Sequence, residues 1–98
     1  MQKFEWDTDK AALNVRKHGI SFEVAAHVFA DPFALSAQDR IENGERRWKT
    51  IGIADGYLVL VVAHTVQDDE DGSEVIRIIS ARRADPKERR RYEQSYSS

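Results

Sequence analysis

The stretch from Val75 to Tyr92 constrains the fold more than any other part of the chain. Its first half, Val75 to Arg83, is β-branched and mostly apolar, the composition of a buried strand. Its second half begins a helix. Asp85 is placed to cap, Pro86 suits the first helical position, and Glu88 stands three residues after the cap, where a capping box needs it. A buried strand that runs straight into a helix needs a sheet beside it and a face for the helix to lie on. Seven cations (Arg77, Arg82, Arg83, Lys87, Arg89, Arg90 and Arg91) are attached to this junction, so function is sought here first.

The preceding elements supply the sheet. Phe4-Glu5-Trp6 reads as a short strand, and Asp7 caps a helix from Thr8 to His18. Gly19 fits the left-handed residue that ends this helix, with Ile20 folding back on Val15. Ser21 caps a second helix to about Ala30, in which Phe22, Ala25, Ala26 and Phe29 form one apolar stripe. Asp31-Pro32 ends it. The two helices form an expected hairpin whose apolar sides need a sheet to cover. Phe33 to Ala37 reads as an edge strand, followed by a polar turn through Glu42-Asn43-Gly44. Arg46 to Ile53 and Tyr57 to Val66 read as strands joined by Asp55-Gly56, a dipeptide suited to a two-residue turn. Leu58 to Ala63 is apolar on both faces and therefore central. The order β-α-α-β-β-β-β-α gives an α+β class: one domain over residues 1–98, with a small twisted antiparallel sheet, an N-terminal helical hairpin and a C-terminal helix.

A two-residue Asp55-Gly56 turn would pair Ala54 with Tyr57, Arg47 with His64, Trp48 with Ala63 and Arg46 with Thr65. If Val66 faces Glu74 in the next hairpin, Ala63 faces Arg77. Alternation then places Ile51, Ile53, Leu58, Leu60, Val62, Ile76 and Ile78 under the helices. The other face would carry Arg46, Trp48, Ala63, Thr65 and Arg77 at one end, with Val59, Val61, Ile79 and Ala81 toward the other. Trp48, Ala63 and Arg77 would form a row, a shallow basic groove suited to single-stranded RNA: guanidinium on phosphate, indole on base. A one-residue slip would undo that grouping.

The segregation of charge suits an anionic partner at one end of the chain, and suits a solvated surface equally well. The chain's formal charge is −2, but Asp68, Asp69, Glu70, Asp71 and Glu74 contribute −5, leaving −2 + 5 = +3 elsewhere. Cysteine is absent, which excludes disulfides and thiolate metal sites. The three histidines are scattered without a carboxylate cluster, so no metal-ligand spacing is present, and no cofactor is expected. The N-terminus lacks the apolar run of a signal peptide, and no stretch has the length of a membrane span. A cytosolic protein with no membrane contact is expected.

Phe4-Glu5-Trp6-Asp7, Asn14-Val15-Arg16-Lys17-His18-Gly19-Ile20-Ser21-Phe22, Val28 to Pro32, Arg47-Trp48, Ile76 to Ala84 and Glu88 to Glu93 together resemble the BrnT toxins. The similarity spans nearly the whole chain. It implies a RelE-like fold, RNA cleavage with arrest of translation, and neutralisation by a cognate BrnA-like antitoxin. It also implies that the toxin–antitoxin complex binds operator DNA through the antitoxin. The loop at residues 67–73 is longer and more acidic than the resemblance leads one to expect, and should repel RNA.

A metal-independent ribonuclease must activate a 2′-hydroxyl, stabilise charge on the phosphorane and protonate the leaving oxygen. Arg77 and Arg46 are the expected phosphate clamp, with Arg82 and Arg83 placing the flanking backbone. His64 is the first choice for proton transfer, although the register points it to the opposite face. Lys17 or His18 could serve instead, although Arg16, Lys17 and His18 in the last turn of that helix are also explained by the helix dipole. Trp48 would stack a base or pack in the core. Tyr92 could contribute its hydroxyl to RNA or simply pack the last helix. The antitoxin is expected to cover the Arg46–Trp48–Arg77 face or the last helix. A non-catalytic RNA- or antitoxin-binding module, and a gyrase-poisoning toxin on the same fold, are the alternative functions.

Overall fold

A computed structural model describes residues 2–97. In chain order the elements are β1 (Gln2–Glu5), α1 (Thr8–His18), α2 (Phe22–Ala26), a 3₁₀ turn (His27–Ala30), β2 (Leu35–Glu42), β3 (Glu45–Ala54), β4 (Leu58–Asp68), β5 (Glu74–Arg83) and α3 (Pro86–Ser97). The strands form one sheet in the order β1-β5-β4-β3-β2. Among the described residues, no helix is long and apolar enough to cross a membrane.

The α+β class is as expected, with two corrections. The sheet is mixed, because β1 joins the β5 edge in parallel, pairing Phe4 with Ile76 and Glu5 with Arg77. An N-terminal helical hairpin is not formed. A strand comes first, and only α1 is a full helix; α2 lasts five residues before tightening into the 3₁₀ turn. Close approach explains the tightening. The turn lays Val28 on β3 at Gly52, where even a Cβ would come within 2.8 Å of Val28 Cγ1.

The caps behave as their residue types dictate. Asp7 Oδ1 accepts from the amides of Asp9 and Lys10 at 2.8 and 3.1 Å, and Ser21 Oγ accepts from Val24 N at 3.1 Å. Gly19 takes φ 71° and its amide donates to Val15 O. Ile20 does not need Val15 for its burial: it lies in the core, while Val15 stays half exposed. Asp85 and Glu88 close the capping box in both directions, at 2.8 and 2.9 Å.

The registers decide which side chains share a face. Asp55 and Gly56 both adopt the positive φ of the expected turn, at 54° and 83°, but Tyr57 is carried as an extra loop residue and Ala54 pairs with Leu58. Trp48 therefore stands opposite His64, and Lys49 opposite Ala63. In the next hairpin Asp68 pairs with Glu74, so Thr65 rather than Ala63 faces Arg77. A bulge then leaves Ile79 between the His64–Ile78 and Ala63–Ser80 pairs.

Two small cores result. Under α1 and α2 lie Ala54, Leu60, Val62, Ile76, Ile78 and Ala81, packed with Ile20, Phe22, Ala25 and Val28. Under α3 lie Ile51, Val59 and Val61 with Tyr92, flanked by Ile53. Ile51 and Ile53, expected under the first helices, are therefore on the α3 side, and Ala81 has moved the other way because of the bulge. Asn14 joins α1 to β5 from inside. Its Nδ2 donates to Ile20 O and Ala81 O at 2.9 and 2.8 Å, and its Oδ1 accepts from Ala81 N at 3.1 Å.

Candidate RNA-binding trough

The expected Arg46–Trp48–Arg77 groove does not assemble. The single-residue shift between β3 and β4 turns Arg46 and Trp48 onto the face of α1 and α2, while Arg77 faces the α3 side. Trp48 instead lines a cavity of about 290 Å³ with Phe29, Ser36, His64 and Glu74. His64 also lines it, 3% exposed, its ring perpendicular to that of Phe29 with centroids 4.8 Å apart. Its Nε2 is 2.7 Å from Thr50 Oγ1, which is 2.8 Å from Ser36 Oγ. Burial pushes the His64 imidazole below its ordinary pKa, partly opposed by the Thr65 carbonyl and Glu74. It is thus a neutral, hydrogen-bonded core histidine facing away from Arg77.

On the α3 side, alternation and register assemble a different group. Glu5 pairs with Arg77 and Arg77 with Thr65. The paired part of β3 and β4 ends at Trp48–His64, and Arg47 and Thr65 are the next residues of the two strands, both by alternation on the α3 side. One row thus reads Glu5, Arg77, Thr65, Arg47 across four strands. The next reads Ser80, Ala63, Lys49. Short side chains form a floor, and Arg77, Arg47 and Lys49 form walls. Strands lie about 4.8 Å apart, so Arg77 and Arg47 rise about 10 Å from each other, a span that two guanidinium groups close around one phosphate. A cavity of about 290 Å³ adjoins the trough at Lys49, lined also by Ile51, Val61, Glu88 and Arg91.

Two atoms of this trough are buried and without a hydrogen-bond partner among the described residues: Arg47 Nε and Thr65 Oγ1. Buried polar groups are rarely left unsatisfied, since each costs about 1–3 kcal/mol. Arg77 Nη1 donates to Glu5 Oε2 at 2.8 Å, and Arg47 Nη1 stands 3.6 Å from Glu42. Arg77 does not pair with the acidic loop, whose Asp69 and Asp71 are held by Lys3 at 3.0 and 2.9 Å.

The remaining expected site residues are dispersed. Arg82 lies on the trough side but is engaged by Glu88 through two bonds of 2.7 and 2.9 Å. Arg83 pairs with Leu60 and so faces the α1 side. Lys17 and His18 are exposed at the end of α1, over that same side. Tyr92 packs on Ile51, Val59 and Val61, and its hydroxyl donates to Asp31 Oδ2 at 2.6 Å. Burial works against ionisation of Asp31, but Tyr92 and the amides of Ile53 and Phe33 outweigh it and hold the carboxyl below its ordinary range. Asp31 is thus the anchor of α3, a role that its place in Asp31-Pro32 did not signal. Glu5, Arg47, Lys49 and Ser80 were also missed, while Thr65 was expected on the Arg77 face. Only the register could have found them.

The Arg82–Glu88 pair also sets an acid limit on the α3 junction. Arg82, helped by the Asp85 amide, holds Glu88 at about 2, against an ordinary 4.5. A depressed carboxyl contributes stability above its unfolded pKa and loses it as pH falls through the folded one. Stability should therefore fall between pH 4.5 and 2. Because the pair is partly screened, Glu88→Gln should remove about 1–2 kcal/mol of that dependence, read from urea unfolding at pH 2.5 and 6. An unchanged pH slope in the variant would show that the pair contributes nothing.

Residues 6–88 match the protein family described as "Ribonuclease toxin, BrnT, of type II toxin-antitoxin system". The structure is similar to the crystal structure of the Brucella abortus ribonuclease toxin BrnT, with a TM-score of 0.66 and 25% sequence identity. The likeness covers 87% of this chain and 99% of the Brucella chain. No curated protein matches the sequence.

Proposed function

This chain belongs to the BrnT family of ribonuclease toxins of type II toxin–antitoxin systems, and we propose that it cuts RNA without a metal ion in the trough between Arg77 and Arg47, arresting translation. The observation that carries this reading is the Arg77–Thr65–Arg47 row, in which two buried polar atoms have no partner among the described residues. Both atoms are covered in the free protein, so a phosphodiester laid over Thr65 would take a hydrogen bond from its hydroxyl and from Arg47 Nε once the side chains over them move aside, and would stand between two guanidinium groups. These donors would grip the extra charge of the phosphorane more tightly than the ground-state phosphate, and that difference is what accelerates the reaction. Arg77, Arg47 and Lys49 repel a divalent cation, so the donor set suits direct stabilisation by protein cations. Lys49 and Ser80 would hold the next phosphate along the strand. Arg82, tied to Glu88, would fix the start of α3 and act only at longer range. Arg46, Trp48, Lys17, His18 and Arg83 lie on the other face, and any contact they make with RNA would be outside the cutting site.

A cognate BrnA-like antitoxin would silence the protein by laying an acidic or apolar segment over the trough and α3, the resulting complex binding operator DNA through the antitoxin. Exchange protection on antitoxin binding that was confined to residues 8–30 would contradict that placement.

The test is incubation of antitoxin-free protein with end-labelled RNA in EDTA. Cleavage that persists, leaving 5′-hydroxyl ends, is the expected result. RNA retarded but intact would instead indicate a binding module, and RNA neither bound nor cut, with replication blocked in cells, a gyrase poison.

A further inference from the structure

The cation row explains charge stabilisation but leaves the 2′-hydroxyl without a base, since His64 faces away and is buried. Of the carboxylates in the described residues, Glu5 is the one that both stands in the trough row and touches its arginine. It is brought there by the parallel pairing of β1 with β5, which sets Glu5 directly beside Arg77. One oxygen, Oε2, accepts from Arg77 Nη1 at 2.8 Å. The other, Oε1, has no hydrogen-bond partner among the described residues, and the side chain is 52% exposed. It is therefore both oriented and reachable.

We infer that Glu5 is the catalytic residue that takes the proton from the attacking 2′-hydroxyl, with Arg77 holding its carboxylate against the scissile phosphate. The inference rests on the trough being the cutting site. A phosphate over Thr65 lies on the open side of Arg77, and Glu5 lies on its β1 side, so the ribose of the upstream nucleotide sits at the β1 edge of the sheet. Glu5 Oε1 accepts the 2′-hydroxyl proton as the 2′-oxygen forms its bond to phosphorus. The bond from phosphorus to the 5′-oxygen breaks, and that oxygen leaves with a proton from water. The products are a 2′,3′-cyclic phosphate and a 5′-hydroxyl, and no oxidant, metal or cofactor enters the balance. Arg77 thereby has two tasks: it binds the phosphate and it keeps the base in register with it.

The experiment compares wild type, Glu5→Gln and Glu5→Asp under single-turnover conditions across pH 4 to 9, with RNA affinity measured in parallel by fluorescence anisotropy. Glutamine keeps the shape and still accepts from Arg77, but it does not take a proton. The expected result for Glu5→Gln is a rate lowered about 100-fold or more, affinity within about twofold of wild type, and loss of the acid limb of the pH–rate profile. Glu5→Asp should keep the acid limb at a reduced rate. A Glu5→Gln rate within a few-fold of wild type, or one that falls only in step with affinity, would overturn the assignment. If Arg77→Ala and Arg47→Ala both cut normally, the trough itself is wrong and the base goes with it. If those two variants are inactive while Glu5→Gln is active, the trough stands and the base is another group.

Discussion

Arg77→Ala and Arg47→Ala should each slow RNA cleavage by about 10²–10³-fold, by analogy with the removal of one preorganised donor from an oxyanion site. The loss belongs to function rather than to folding. Among the described residues Arg77 makes one ion pair, to Glu5, with both partners about half exposed; such pairs are worth about 0–1 kcal/mol. The circular dichroism spectrum and melting temperature of Arg77→Ala should therefore stay close to wild type while its rate collapses. Arg47 is more deeply set, and its stem covers part of the sheet, so its removal should also cost about 1 kcal/mol of stability. Arg47→Lys separates the contributions. Lysine keeps the charge but has no Nε donor and no fork, so most of the rate should still be lost. Arg46→Ala is the control. It removes a neighbouring arginine from the opposite face, and its cleavage rate should stay within about threefold of wild type. Equal losses for Arg46→Ala and Arg47→Ala would mean that general positive charge, rather than the trough, governs the reaction.

Much of this arrangement was legible in the sequence where the signals are local. The capping box at Asp85–Glu88, the caps at Asp7 and Ser21, the left-handed Gly19 and the strand character of residues 58–63 all follow from residue type and spacing. Arg77, Ala63 and Thr65 were also placed on one face correctly, although the β4–β5 pairing is two residues from the expected one. A two-residue error preserves the alternation of faces. A one-residue error inverts it, and that is what happened between β3 and β4, where Tyr57 enters the loop after Asp55-Gly56. It turned Arg46 and Trp48 away from the face that carries Arg77 and brought Arg47 and Lys49 onto it. Nothing in the sequence distinguishes a two-residue turn from a three-residue loop that begins with the same dihedral angles. The bulge at Ile79, which moves Ala81 to the other face, is equally silent. Glu5 was missed for another reason: a four-residue strand gives no sign of which edge it joins or in which direction.

The second large effect concerns stability. Asn14→Ala should lower the unfolding free energy by about 3–5 kcal/mol, because it strands the Ile20 and Ala81 carbonyls and the Ala81 amide away from water, at about 1–3 kcal/mol for each unsatisfied group before relaxation. That is a large share of the about 5–15 kcal/mol typical of a domain. The amide does what no apolar residue could do there: it joins the end of α1 to β5 just past the bulge, where the backbone of Ala81 would otherwise lack a partner. Asn14→Asp supplies acceptors without donors and should be nearly as damaging. Guanidinium-chloride unfolding measures both, and a loss below about 1 kcal/mol for Asn14→Ala would show that water replaces the side chain.

The same bulge explains why this residue sits close to the proposed trough without touching it. β5 carries Arg77 before the irregularity and Arg82 after it, and Asn14 fixes the strand between the trough and the α3 junction. Asn14→Ala should therefore weaken cleavage only in proportion to the fraction unfolded, unlike the trough variants.

The central claim, that RNA lies on the α3 side of the sheet between Arg77 and Arg47, is tested most directly by amide and methyl NMR of the protein with a short RNA made uncleavable by 2′-O-methylation. The account predicts shift changes centred on Ala63, Thr65, Arg77 and Ser80, with Trp48, Val66 and Ile41 unmoved. Shifts centred on Trp48 and Val66, with Thr65 and Ser80 silent, would place the RNA on the opposite face and contradict it.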